Sequence, residues 1–162
     1  MEDEYNLDKI QNRIYFSPRL TEEGVDRYSK FLQNALSYGT KEWLAEKLRE
    51  AHVIKDHEKL LNPLGGIREV KVPASAPDIL AEGEFSRYYL RAVCRQAIKE
   101  GIIHLEIISN SPSDTISDKE KAKIGRIVNP KDLLDDLRQN SYVNTRFGIP
   151  SPKSGLTVRF HS

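Results

Sequence analysis

Glu84-Phe85-Ser86-Arg87-Tyr88-Tyr89-Leu90-Arg91-Ala92-Val93-Cys94-Arg95-Gln96-Ala97-Ile98-Lys99-Glu100 is the most strongly patterned stretch of the chain. Arg87, Arg91 and Arg95 recur every four residues, which sets three guanidinium groups along one side of a helix. Phe85, Tyr89, Val93 and Ala97 repeat at the same interval on a neighbouring stripe. The spacing therefore predicts an amphipathic helix with one face for packing and one for something anionic or wet. Upstream, Ile67–Val72 has strand composition and is closed by Pro73-Ala74-Ser75-Ala76-Pro77,. Downstream, Gly101 stops the helix, and Ile102–Ile108 is nearly continuous in apolar residues, as expected of a strand buried on both faces,. Strand, helix and strand at this spacing predict a β-α-β unit over 67–109, with parallel strands joined by a right-handed crossover.

Working toward the N-terminus, Thr40 reads as the cap of a helix through Trp43, Leu44, Leu48 and Ala51. Thr21, followed by Glu22 and Glu23, reads as the cap of an earlier helix that Gly39 ends,. These form an expected helical pair over 17–54. Residues 1–12 are polar and are expected to be a flexible N-terminus. Toward the C-terminus, Ser117 with Glu120 makes a capping box, and Asn129-Pro130 opens a helix whose buried side is Leu133, Leu134 and Leu137,. Residues 141–155 are rich in Pro, Ser and Gly, and Leu156–Phe160 alternates as a half-buried strand,. The expectation is one globular domain over 13–162 of α/β or α+β class, with a C-terminal helix and strand in 117–162. A small mixed sheet of three to four strands carries helices packed on it. The open edge of such a sheet suggests a homodimer.

Composition bounds the function. The chain has 162 residues, with 25 Lys and Arg against 24 Asp and Glu and a net charge of +1, so no overall field steers it to nucleic acid or membrane,. Any such contact has to be a local patch. The 38% apolar and 30% charged content is that of an ordinary water-soluble protein,. Cys94, the one cysteine, rules out an internal disulfide and a Cys-based zinc site, which points to a reducing compartment, the cytoplasm,. No run of ~18 apolar residues occurs, so no membrane segment is expected.

Three constellations bear on activity. The first is the arginine row: guanidinium groups about 6 Å apart suit successive phosphates, with Tyr88 available for stacking. The same arginines could instead be solvated or paired with Glu82, Glu84 and Glu100, or could form a protein interface. The second lies at the carboxyl ends of the two expected strands, where ligands bind in open parallel sheets. Ser75 and Asp78 follow the first strand, and Ser109, Asn110, Ser111 and Asp114 follow the second. Arg87, nearest that edge, is the arginine expected to meet a ligand. The third is Glu69-Val70-Lys71, the Glu-x-Lys of metal-dependent nucleases, with Asp56 as an upstream second ligand for magnesium. His104 and Glu106 share a strand face, but two ligands do not make a metal site. No HExxH, GxSxG, Walker or GxGxxG pattern occurs,.

The leading expectation is a non-enzymatic intracellular binding protein engaging a protein or nucleic acid through the basic helix face, with no cofactor and no metal. The alternative is a metal-dependent nuclease or other hydrolase using Asp56, Glu69 and Lys71 with magnesium.

Overall fold

Caps written into the sequence start the helices. Thr21 accepts a hydrogen bond from Gly24 N, Thr40 from Trp43 N, Ser117 from Glu120 N and Asn129 from Lys131 N,. The computed structural model describes residues 1–161. In chain order their elements are α1 (Glu2–Ile10), α2 (Glu22–Tyr38), α3 (Lys41–Glu50), β1 (His57–Leu61), β2 (Ile67–Lys71) and α4 (Ala76–Lys99). There follow β3 (Leu105–Ser109), α5 (Asp118–Lys121), β4 (Ile127–Val128), α6 (Pro130–Gln139) and β5 (Leu156–Phe160). The fold is mixed α+β, with helices packed on small sheets, as the patterning predicts.

Strand pairing departs from the expected β-α-β unit. β2 pairs antiparallel with β1 in a two-stranded hairpin, and β3 lies in a separate sheet of order β4-β3-β5 with both neighbours antiparallel. The strands on either side of α4 therefore never meet, and no parallel or mixed sheet forms among the described residues. Closing the Asn62–Gly66 turn confines far less chain than a crossover through α4, so β2 finds its partner next door,. Gly65 at φ +86° makes that turn tight,. β3 is also buried on one face only: Leu105 and Ile107 are inside, and Glu106 and Ile108 are half-exposed.

Two apolar clusters flank the long helix. The first gathers Leu32, Leu36, Leu44 and Leu48 of α2 and α3 against Leu80 and Ala81 of α4; the second gathers Leu105, Ile107, Val158, Leu133 and Leu137 against Leu90, Cys94 and Ala97. α4 is the common wall, its first half serving one cluster and its second half the other.

Between them runs a buried ionic seam, and it corrects the reading of residues 1–12 as flexible. α1 is a packed helix, with Glu4, Tyr5 and Asp8 all buried. Arg91 Nε donates to Glu4 Oε2 at 2.7 Å, and its Nη1 and Nη2 donate to the two Asp8 oxygens at 2.6 and 3.0 Å. Arg87 forks onto Glu84 at 2.9 and 2.8 Å and caps the Leu137 carbonyl at 2.8 Å. Arg138 of α6 holds Glu4 from the other side at 3.0 and 2.7 Å. Tyr88 donates to Asp8 at 2.8 Å, and its ring lies 4.7 and 4.9 Å from the Arg87 and Arg91 guanidinium carbons. Three carboxylates thus meet three guanidinium groups, which is the condition under which buried charge is tolerated. The polar composition of the first residues reads as disorder only because their partners lie more than eighty positions away.

Burial alone would raise the Glu4 carboxyl, but the Arg138 and Arg91 hydrogen bonds and charges override it and lower it from 4.5 to about 2,. Because the folded value is depressed, the Glu4 contribution to stability is complete above pH 4.5 and is lost as pH falls toward about 2,. Urea unfolding across that window should show the loss, with Glu4→Gln less stable at neutral pH and flatter below pH 4.5. Tyr28 is 0% exposed, and its hydroxyl is the buried side-chain polar atom without a hydrogen-bond partner among the described residues. Tyr28→Phe should therefore leave the thermal midpoint unchanged or raise it; a marked drop would show that the hydroxyl is bonded.

Candidate anion-binding cleft

The chain after α6 is pinned by one carboxylate. Asp136, fully buried, accepts hydrogen bonds from Arg146 N at 2.9 Å, Phe147 N at 3.0 Å and Asn140 Nδ2 at 2.7 Å. These bonds fold residues 140–147 back over α6. Farther along, Ser109 Oγ donates to the Ser154 carbonyl at 2.9 Å, and Asn110 N donates to the Gly155 carbonyl at 3.0 Å, so the segment is tied at its far end to β3. Tyr142, buried, lies against α4 at Gly83, where a Cβ would run into the Tyr142 ring. The Pro- and Gly-containing stretch is thereby a wall, shaped by hydrogen bonds at both ends.

Facing that wall is the turn after α5. Lys119 of α5, Lys123 and Arg126 from this turn and Arg146 and Lys153 from the wall line a cleft of about 620 Å³, together with Tyr142 and Phe147. No Asp or Glu is among its lining residues. Lys123 sits deepest, half-buried, with Nζ donating to the Gly148 carbonyl at 2.7 Å. Gly148 adopts φ +68°, a conformation that favours glycine, and Lys123 packs directly over it,. Burial lowers the Lys123 ammonium below its ordinary value; Glu120 opposes this, and the charges of Lys119 and Arg126 add to the lowering. Crowded cations of this kind gain from an anion placed among them. Arg146 stands over Phe147, its guanidinium carbon 5.9 Å from the ring centre,. A second hollow of about 400 Å³ adjoins the cleft, sharing Pro150 and Ser151, and is lined by Phe85, Tyr89, Asn110 and Thr157 among others. Tyr89 is 47% exposed there.

The residues singled out in the sequence fall elsewhere or in other roles. Arg87 and Arg91 are 1% and 0% exposed and committed to the seam, so neither presents a surface to a ligand. Glu84 is the expected partner of Arg87, whereas Arg91 pairs with α1. Arg95 is exposed and reaches Asp3 at 3.2 Å and Glu4 at 3.5 Å. Tyr88 is buried and bonded to Asp8. Ser75 precedes α4, and Asp78 pairs with Arg49. Neither joins Ser109 and Asn110, because no parallel sheet brings the two strand ends together. Ser109 is spent on the wall; Asn110 reaches the second hollow, and Asp78 lines a separate small hollow with Lys41 and Glu82.

The Glu-x-Lys constellation is not assembled. Glu69 and Lys71 are exposed on β2, opposite Lys59 and His57. Asp56 continues the register, its carbonyl accepting from Val72 N at 2.8 Å, so strand alternation directs it to the other face of the hairpin,. Among the described residues, no group of three or more His, Cys, Asp or Glu is placed to hold a metal ion. His104, just ahead of β3, is exposed, and Glu106 within β3 binds Arg159 at 2.8 Å. Burial pushes the Cys94 thiol up to about 12, far from a nucleophilic range,. No helix among the described residues is long and apolar enough to cross a membrane.

The cleft has a sequence signal of its own, overshadowed by the more regular arginine row. Lys119, Lys121, Lys123 and Arg126 crowd α5 and the short turn after it. What the sequence lacks is the other wall, since only folding brings Arg146 and Lys153 opposite that turn. The chain matches no protein-family model, no curated protein and no solved structure, and its chemistry is therefore argued from these residues alone.

Asp136→Ala should leave the Arg146 and Phe147 amides unpaired beneath the wall and destabilise the protein by about 1–3 kcal/mol. Hydrogen exchange at those two amides, accelerated well beyond the global change, would locate the damage in the cleft wall.

Proposed function

We propose that the protein is a cytoplasmic, non-enzymatic binding protein whose partner is a single-stranded nucleic acid, held by its phosphates in the cleft around Lys123. The observation that carries this reading is the composition of the cleft: five cationic side chains on two walls with no carboxylate between them. Arg126 and Arg146 offer forked donors suited to phosphate oxygens, and Lys119, Lys123 and Lys153 supply point charges. A concave site favours a flexible strand over a duplex, which is read by an element that protrudes into a groove. Tyr89 in the adjoining hollow gives an unstacked base a ring to lie on, with Asn110 beside it,. An acidic protein segment would meet the same cations but would leave that aromatic hollow unused.

The basic surface in this reading is formed by α5 with the turn after it and by the wall at 146–153, in place of the α4 face expected from sequence. The cytoplasmic part rests on Cys94, the single cysteine, which is packed as an apolar residue in a fold that uses no disulfide,. A homodimer belongs to the proposal as well, since two clefts on one strand would raise avidity.

Fluorescence anisotropy with labelled single-stranded oligonucleotides, the matching duplexes and polyglutamate tests the reading. Single strands should bind best, with affinity falling steeply as salt rises. Replacing Arg126 and Arg146 by Gln should weaken binding about tenfold and reduce the salt slope by about 0.7 for each phosphate that is no longer neutralised. Tighter binding of polyglutamate, or single-strand binding unchanged in the double variant, would overturn it.

A further inference from the structure

β1 and β2 form a ribbon with no third strand. Two-stranded ribbons are marginal on their own in water, and their free edges invite pairing. The ribbon is also exposed: Leu61, Leu64 and Ile67 near its tip are 79%, 93% and 69% exposed. Its two edges are not equivalent. Beside the start of β1 runs the segment around Arg19, with Leu20 bridging Ile54, Lys55 N donating to the Arg19 carbonyl at 2.8 Å, and Arg19 forked onto Glu58 at 2.9 and 2.8 Å. No such segment flanks β2 among the described residues.

The register fixes what the β2 edge offers. Asn62 N donates to the Gly66 carbonyl at 2.6 Å and Val72 N to the Asp56 carbonyl at 2.8 Å, so Arg68 and Val70 spend their backbone groups on β1,. Ile67, Glu69 and Lys71 turn theirs outward. A symmetric antiparallel partner must pair these outward residues with one another. Centred on Glu69, the pairing sets two glutamates face to face; centred on Arg68, it leaves Lys71 against the turn. Centred on Val70, it sets Glu69 against Lys71 of the second copy, and Lys71 against its Glu69. That register alone joins opposite charges, and it does so twice. It also lays each hairpin tip along the other copy's hairpin base, where Ile67 meets Pro73, giving the exposed tip an apolar neighbour.

We infer that the protein forms a homodimer by antiparallel pairing of its β2 edges about Val70, making a four-stranded sheet across the two copies. The pairing gives Glu69-Val70-Lys71 a role as a self-complementary edge. On each side of the axis a row of alternating charge forms, with Glu69 lying between Lys59 of its own chain and Lys71 of the second copy. β1 offers no equivalent, because its outward residues are His57, Lys59 and Leu61, with no acid among them. The dimer does not depend on what the cleft binds.

Sedimentation velocity from micromolar to millimolar protein, without nucleic acid, tests the pairing. The wild type should pass from one chain mass to two. Glu69→Lys alone and Lys71→Glu alone each set like charges opposite one another at two related positions and should raise the dissociation constant about tenfold or more. The combined Glu69→Lys, Lys71→Glu variant restores opposite charges and should dimerise as the wild type does. All three variants change only exposed positions and should give the circular dichroism spectrum of the wild type. The inference is overturned if the wild type stays at one chain mass, if either single variant dimerises normally, or if the double variant fails to recover. A normal dimer with no oligonucleotide binding would instead count against the cleft proposal alone.

Discussion

Everything in this fold is arranged around the charge seam at the middle of α4. A helix with apolar clusters at both ends and arginines between them has to find anions for those arginines or leave them in water. α1 supplies Glu4 and Asp8, α4 supplies Glu84, and Arg138 of α6 completes the balance. The seam therefore joins three helices through contacts that neither apolar cluster makes. Charged groups in this setting are no cheaper than a well-packed apolar layer, but they are more selective, because only one relative placement of α1, α4 and α6 satisfies all of them.

The cleft is organised on the same principle with one buried carboxylate in place of three. Asp136 gathers two backbone amides and a side-chain amide, and Arg146 Nε lies 3.5 Å from it. Its bonds turn a polar connection into a wall that faces Lys123. Carboxylates thus stand behind the cleft, at Asp136 and at Glu120 bonded to Ser151, while cations face into it. This separation of sign is what makes an anionic ligand the best-supported occupant.

Local features are legible wherever the deciding contacts lie within a few residues. Thr21, Thr40, Ser117 and Asn129 act as caps where their spacing places them, and Leu133, Leu134 and Leu137 are buried as the periodicity requires. β1 leaves no such mark, because His57-Glu58-Lys59-Leu60-Leu61 carries no β-branched residue and, Glu58 apart, is exposed throughout,. The arginine row is one helical face, as its spacing says, but Arg87 and Arg91 do not lie on an outer one. Four-residue spacing specifies which residues share a face, and that face meets water or a partner only according to what packs against it. Three of the five cleft cations are visible as a crowded segment at 119–126, yet Arg146 and Lys153 lie in a loop without periodicity.

By itself the sequence determined the capped helices α2, α3, α5 and α6 and the strand character of β2, β3 and β5: caps, breakers and hydrophobic spacing act over one helical turn or one strand, and they need no distant partner. Tertiary structure decided the rest. It chose a local hairpin over a crossover for β2, because short loops close at the lower entropic cost. It turned Arg87 and Arg91 inward, because acids more than eighty residues upstream of Arg91 remove the cost of burying it,. It also made a cation-lined cleft from two segments that are ordinary when taken apart, since electrostatic fields add in space and not along the chain.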